Sequence, residues 1–159
     1  MLEFKYEYNE IRLLDGLREL GYIKYNLNEP HTLTISQIYS NERFSILYPN
    51  VHIGTSIFNE LLLYLQRKNI DFDIIKGTLS GADAKINWND SISFYADFVS
   101  FLSLELNYTL EFNLYDIDGN LYILSQNKID RKVQITDFCQ RINSIDKNAS
   151  FKYTKFPNQ

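Results

Sequence analysis

Asp116 and Asp118, followed by Gly119, carry two carboxylates at the spacing with which a calcium loop opens. A complete loop of that kind goes on to further oxygen ligands and closes on a Glu. Counted from Asp116, the closing position is Asn127, and a strand-like alternation intervenes. Gly119 suits a turn that needs positive φ, so the segment reads as a turn. His31 and His52 flank strand-like stretches, and neither has a second His at helical spacing. Cys139 falls on the apolar stripe of an amphipathic segment, the usual place of a buried structural thiol. A zinc site needs three or four convergent ligands, and no such cluster is written here. A Cys–His nucleophilic pair would require the fold to join distant positions.

The standard phosphate and nucleophile motifs are missing as well. The run from Gly77 to Gly81 follows a strand, but it has neither the spacing nor the Lys of a phosphate loop. Asp71, Asp73, Asp83, Asp90 and Asp97 could supply carboxylates for acid–base work or magnesium. Asp90 and Asp97 fall on one helical face, which is equally the pattern of solvated charge. Trp88, the only Trp, lies among Asn87, Asn89 and Asp90. It has the setting of an interface anchor in a polar ring; a plug folding its loop onto the core fits as well.

Twelve Tyr and eleven Phe stand against two His and one Cys. Such a chain is rich in side chains that pack and bind and poor in those that react. A/T-rich codons, which also favour Asn, Ile and Lys, account for the aromatic excess equally well. The net charge is −4, and it is unevenly spread. From Asp83 to Asp118 the acids are Asp83, Asp90, Asp97, Glu105, Glu111, Asp116 and Asp118, against Lys85 alone. From Lys128 to Lys155 bases dominate. An acidic chain is a poor non-specific ligand of nucleic acid. The apolar stretches are too short to span a membrane, and no secretory signal opens the chain. A single Cys fits a reducing compartment, so a cytoplasmic protein is expected.

The elements that must position these residues follow from periodicity. Leu2 to Tyr8 alternates as a strand. Asn9 is expected to cap a helix running to Leu20, with Ile11, Leu14 and Leu17 on one face and Gly21 as its stop. Strands are expected over 22–28, 32–39 and 43–48. A second helix opens at Thr55 or Ser56, with Ile57, Phe58, Leu61, Leu62 and Leu65 as its buried stripe. Phe72 to Leu79 is a strand, and Trp88 to Leu104 a third helix with a stripe of small residues. Leu106–Tyr115 and Leu121–Gln126 form a hairpin. Thr136 starts a short helix, and Ser150–Phe156 closes as a strand.

The expected fold is therefore a single α+β domain over residues 1–159, with 1–70 and 71–159 as pseudo-halves. It has a mixed or antiparallel sheet, helices packed on one face, and the order β-α-β-β-β-α-β-α-β-β-α-β. The second half is ferredoxin-like in order. In general character the chain resembles bacterial immunity proteins that neutralise toxins, and phage-encoded inhibitors. That resemblance implies a non-enzymatic inhibitor of a cognate basic, nuclease-type toxin, using neither cofactor nor metal. Its binding residues are expected to be Asp83, Trp88, Asp90, Asp97, Asp116 and Asp118, because opposite charge speeds encounter. The alternatives are a small-molecule or nucleotide-binding α+β domain, or a phage assembly component.

Overall fold

The computed structural model describes residues 1–79, 92, 96, 108–116, 118–125, 127–141 and 149–157. The chain divides into two compact units, Met1–Phe72 and Asp73–Gln159.

The first unit begins with an antiparallel meander of β1 (Leu2–Glu7), β2 (Glu10–Asp15), β3 (Arg18–Asn26) and β4 (Thr32–Ser40). The helix expected over 9–20 is absent; β2 and the start of β3 occupy that stretch. The reason is in the turns. Asn9 takes φ 56°, which makes it a hairpin residue rather than a helix cap. Gly16, the first of two residues between β2 and β3, has φ 61°, as a type II′ turn requires at that position. Ile11 and Leu13 are buried and alternate with half-buried Arg12 and Leu14, the period of a strand. Leu17, assigned to the helix face by its spacing, is a fully exposed turn residue.

A short helix, α1 (Glu42–Ser45), follows β4, where a strand over 43–48 was expected. Asn41 caps it by accepting from the Arg43 N–H at 3.1 Å. The long helix α2 (Ile53–Arg67) comes next. Its stripe of Ile57, Phe58, Leu61, Leu62 and Leu65 is buried, and Ile53 extends the stripe by one turn. Each such side chain contributes roughly 1.5–3 kcal/mol. The opposing face is Ile11, Leu13, Ile23, Tyr25, Leu33 and Ile35. Gly21 sets how closely helix and sheet approach. A Cβ there would meet the Tyr39 carbonyl oxygen and stand 2.9 Å from Ile57 Cδ1 and 3.0 Å from Ile53 Cγ2.

The second unit holds β5 (Ile74–Leu79), β6 (Tyr108–Tyr115), β7 (Leu121–Ile123), the helix α3 (Lys128–Arg141) and β8 (Ala149–Pro157). β8 lies between β5 and β6, antiparallel to both, and β7 pairs with the far edge of β6. These pairings correct the ferredoxin-like expectation. The elements keep the expected order, but the last strand, β8, lies between β5 and β6, the place that the third strand takes in a split βαβ unit. Ile75, Leu114, Phe151 and Tyr153 are buried in this unit, as are Ile135 and Phe138 of α3. The Tyr122 and Phe138 rings meet edge-on at 5.3 Å, and the Tyr122 hydroxyl donates to Asp137 at 3.0 Å. Ile92 and Ala96 are helical and buried; the rest of the helix expected over 88–104 lies outside the described residues. The expected sheet with helices laid along one face thus gives way to a fold dominated by antiparallel strands.

Candidate functional site

The chain between β4 and α2 is tied to the β2–β3 turn. The Tyr48 hydroxyl donates to Asp15, and the Arg18 guanidinium sits 5.8 Å from the centre of the Phe44 ring. The N-terminal ammonium and the Tyr48 hydroxyl hold the Asp15 carboxyl below its ordinary value. The Asn41 N–H donates to the Leu20 carbonyl at 2.8 Å. Within the loop, Val51 N–H reaches the Tyr48 carbonyl at 3.0 Å. These contacts fix where α2 begins.

That beginning is open. His52 occupies the N-cap position in an extended conformation, and its side chain makes no capping hydrogen bond. The first turn contains no acidic residue. The first bond closing the helix is Ser56 N–H to His52 carbonyl, at 2.8 Å. The N–H groups of Ile53, Gly54 and Thr55 therefore have no partner among the described residues. Unpaired N–H groups and the positive end of the helix dipole favour a bound anion. Gly54 has no side chain to block the approach, and Thr55 and Ser56 add hydroxyls, each residue being half-buried.

A second group lies further along the same helix. The Tyr6 hydroxyl of β1 donates to Glu60 Oε1. Arg67 reaches that oxygen at 2.8 Å and the Tyr6 oxygen at 3.3 Å. The Tyr6 and Tyr64 rings stack at 4.9 Å. Burial, then the Glu60 carboxylate, raises the Tyr6 hydroxyl above its ordinary value and keeps it a donor.

Of the residues expected to bind a partner, Asp116 and Asp118 lie at the β6–β7 turn. Asp83, Trp88, Asp90 and Asp97 lie outside the described residues. Asp116 spends its carboxylate locally: Oδ1 accepts from the N–H groups of Asp118 at 2.9 Å and Asn120 at 2.8 Å, and Oδ2 from the Asn120 amide at 3.1 Å. Gly119 has φ 82°, as the turn reading requires. Cys139 is half-buried, and burial pushes its thiol up to about 11. Neither the open turn at α2 nor the Tyr6–Glu60–Arg67 group stood out in the sequence. The only signal for the first was a helix start, Gly54-Thr55-Ser56, with no acidic residue in it.

No family model and no curated protein matches the sequence. Solved structures do match the fold. Over 95% of its length, the chain is similar to 72% of the diaminobutyrate acetyltransferase EctA from Paenibacillus lautus, solved with L-2,4-diaminobutyric acid and coenzyme A. The TM-score is 0.52 and the identity 12%. Over 94% of its length it is similar to 64% of a Bacillus anthracis protein assigned as a streptothricin acetyltransferase, solved with acetyl coenzyme A. There the TM-score is 0.50 and the identity 14%. Over 92% of its length the chain is similar to 67% of a Desulfovibrio desulfuricans protein assigned as an acetyltransferase of the GNAT family, at TM-score 0.49 and 7% identity. The fold is therefore that of these acetyltransferases. This finding overturns the reading as a non-enzymatic immunity protein or toxin inhibitor. That reading rested on composition and charge, which report solubility and association rather than fold.

Proposed function

We propose that this chain is an acyltransferase that takes an acetyl group from acetyl coenzyme A and passes it to a primary amine. The observation that carries this reading is the open N-terminus of α2, in a chain whose fold is shared with two acetyltransferases solved with coenzyme A or its acetyl ester. The diphosphate of the coenzyme is the anion that the N–H groups of Ile53, Gly54 and Thr55 would hold. The Thr55 hydroxyl is available to donate to the same oxygens. In the transfer, the amine nitrogen attacks the thioester carbon, the C–N bond forms, and the C–S bond breaks. The proton lost by the nitrogen goes to the departing thiolate, so the products are the amide and free coenzyme A thiol. The diaminobutyrate enzyme offers an amine to the same chemistry. Among the described residues no helix is long and apolar enough to cross a membrane. A cytoplasmic location, where acetyl coenzyme A and a reduced Cys139 coexist, fits the reading.

Thr55→Asp tests it. A carboxylate in the first turn favours the helix by about 0.3–1 kcal/mol while repelling a diphosphate at the same N–H groups. Calorimetric titration should show acetyl coenzyme A binding to the wild-type chain and at least tenfold weaker binding to the variant. The melting temperature of the variant should be equal or higher. S-acetylpantetheine, which lacks the diphosphate, should bind both proteins equally weakly. Failure of the wild-type chain to bind acetyl coenzyme A at millimolar concentration would sink the reading.

A further inference from the structure

A cavity of about 350 Å³ opens beside the first two turns of α2, within the first unit. This volume lies at the lower end of small-molecule sites. Its apolar lining is Leu2 and Phe4 of β1, Leu13 of β2, and Val51. Its polar lining is Asn50, Ser56, Asn59 and Glu60. No Lys, Arg or His lines it.

The polar lining is unspent. The side chains of Asn50, Ser56 and Asn59 make no hydrogen bond among the described residues. Glu60 is half-used. Both of its donors, the Tyr6 hydroxyl and the Arg67 guanidinium, converge on Oε1, and Oε2 accepts nothing. The Glu60 side chain is only 14% exposed, and its second oxygen is open to a ligand. A carboxylate oxygen in such a place favours a charged donor. The Tyr6–Tyr64 stack and the Tyr6 hydroxyl bond fix the carboxylate in advance, which lowers the ordering cost of a ligand.

We propose that this cavity binds a small primary amine with an apolar body. Its ammonium rests on Oε2 of Glu60 and on the side-chain oxygens of Ser56, Asn59 and Asn50, and its hydrocarbon lies on Phe4, Leu13 and Val51. The absence of any cation from the lining sets it against carboxylates and phosphates. Amine binding here requires no coenzyme A, so it can be measured whether or not the acetyltransferase reading holds.

The experiment titrates the full chain with 2-phenylethylamine, and in parallel with 3-phenylpropionate, an acid of matching shape. Binding is followed by calorimetry and by backbone amide shifts. The amine should bind and move the resonances of Phe4, Ser56 and Asn59; the acid should do neither. Glu60→Gln should weaken the amine at least about tenfold, the loss expected for a charge-assisted hydrogen bond. Arg67→Met carries the opposite sign. It takes a competing cation off Glu60 and should tighten amine binding, whereas mere loosening of the β1–α2 contact would weaken it. Equal binding of acid and amine, no binding of either, or weaker amine binding by folded Arg67→Met would overturn the proposal. Because the two variants are expected to move in opposite directions, failure of Glu60→Gln to fold leaves Arg67→Met to decide.

Discussion

Single side chains in this protein are mostly held by short-range partners, and their protonation follows from those partners. Cys139 shows the effect of burial alone. Its thiol is pushed from 9.0 to about 11, which cuts the thiolate fraction at neutral pH by about a hundredfold. Iodoacetamide at pH 8 should therefore label the native chain at least tenfold more slowly than it labels the urea-unfolded chain. Labelling at equal rates would show an exposed, reactive thiol. Asp116 shows the opposite case. The Asn120 N–H first, then the Asn120 side chain and the Asp118 N–H, hold its carboxyl below the ordinary value, against a smaller contrary effect of burial. A carboxyl with a depressed folded value stabilises the fold above its unfolded value near about 4, and that contribution is lost as pH falls through the folded value. Melting temperature followed from pH 6 to pH 2 should accordingly fall less steeply for Asp116→Ala than for the wild-type chain. An unchanged slope would mean that the turn bonds do not form in solution. Gly119 adds a purely backbone case. Nothing lies within 4 Å of the Cβ it lacks, so Gly119→Val should cost roughly 1–3 kcal/mol through φ strain alone.

At the scale of elements, α2 carries the first unit. Its N-terminus leaves N–H groups without a partner among the described residues, its first two turns line the cavity, and its buried face closes the core. The close approach at Gly21 makes a direct test. Gly21→Ala must push the Tyr39 carbonyl and the Ile53 and Ile57 side chains aside, at a cost of about 1–3 kcal/mol. A chemical-denaturation midpoint equal to that of the wild-type chain would show that helix and sheet are looser than described. The stripe of α2 was legible because five large apolar residues at spacings of three and four allow no strand alternative. The stretch from Asn9 to Leu20 was not. Ile11, Leu14 and Leu17 fit a helical face, while Ile11 and Leu13 fit a strand. Only the positive φ of Asn9 and Gly16 decides between them, and conformation is not written in residue type alone for Asn. The residues 43–48 misled in the opposite sense: β-favouring Phe44, Ile46 and Tyr48 sit in a helical turn and a loop because the Asn41 cap starts a helix there. Composition cannot reveal an uncapped helix start either, since the decisive feature is a hydrogen bond that His52 does not make.

At the scale of the whole molecule, a scarcity of reactive side chains is a weaker guide to function than it looked. Transfer of an acetyl group between a thioester and an amine needs no protein nucleophile. Much of the barrier can be removed by holding the two reactants in line. A chain with one Cys and two His can therefore carry the fold of an acetyltransferase without carrying a recognisable catalytic motif. The same scarcity constrains the route. Cys139 is the only thiol in the sequence, it is half-buried, and burial disfavours its thiolate. Under the proposed acetyl transfer, an acetyl-cysteine intermediate is then a poor path, and the acetyl group should pass directly from coenzyme A to the acceptor in a ternary complex. Initial rates measured with acetyl coenzyme A and an amine acceptor should give intersecting double-reciprocal lines. Folded Cys139→Ala should retain turnover to within about twofold, because its loss affects packing and not the reaction. Parallel lines, together with loss of turnover in the folded variant, would instead place the acetyl group on sulfur and make Cys139 a nucleophile.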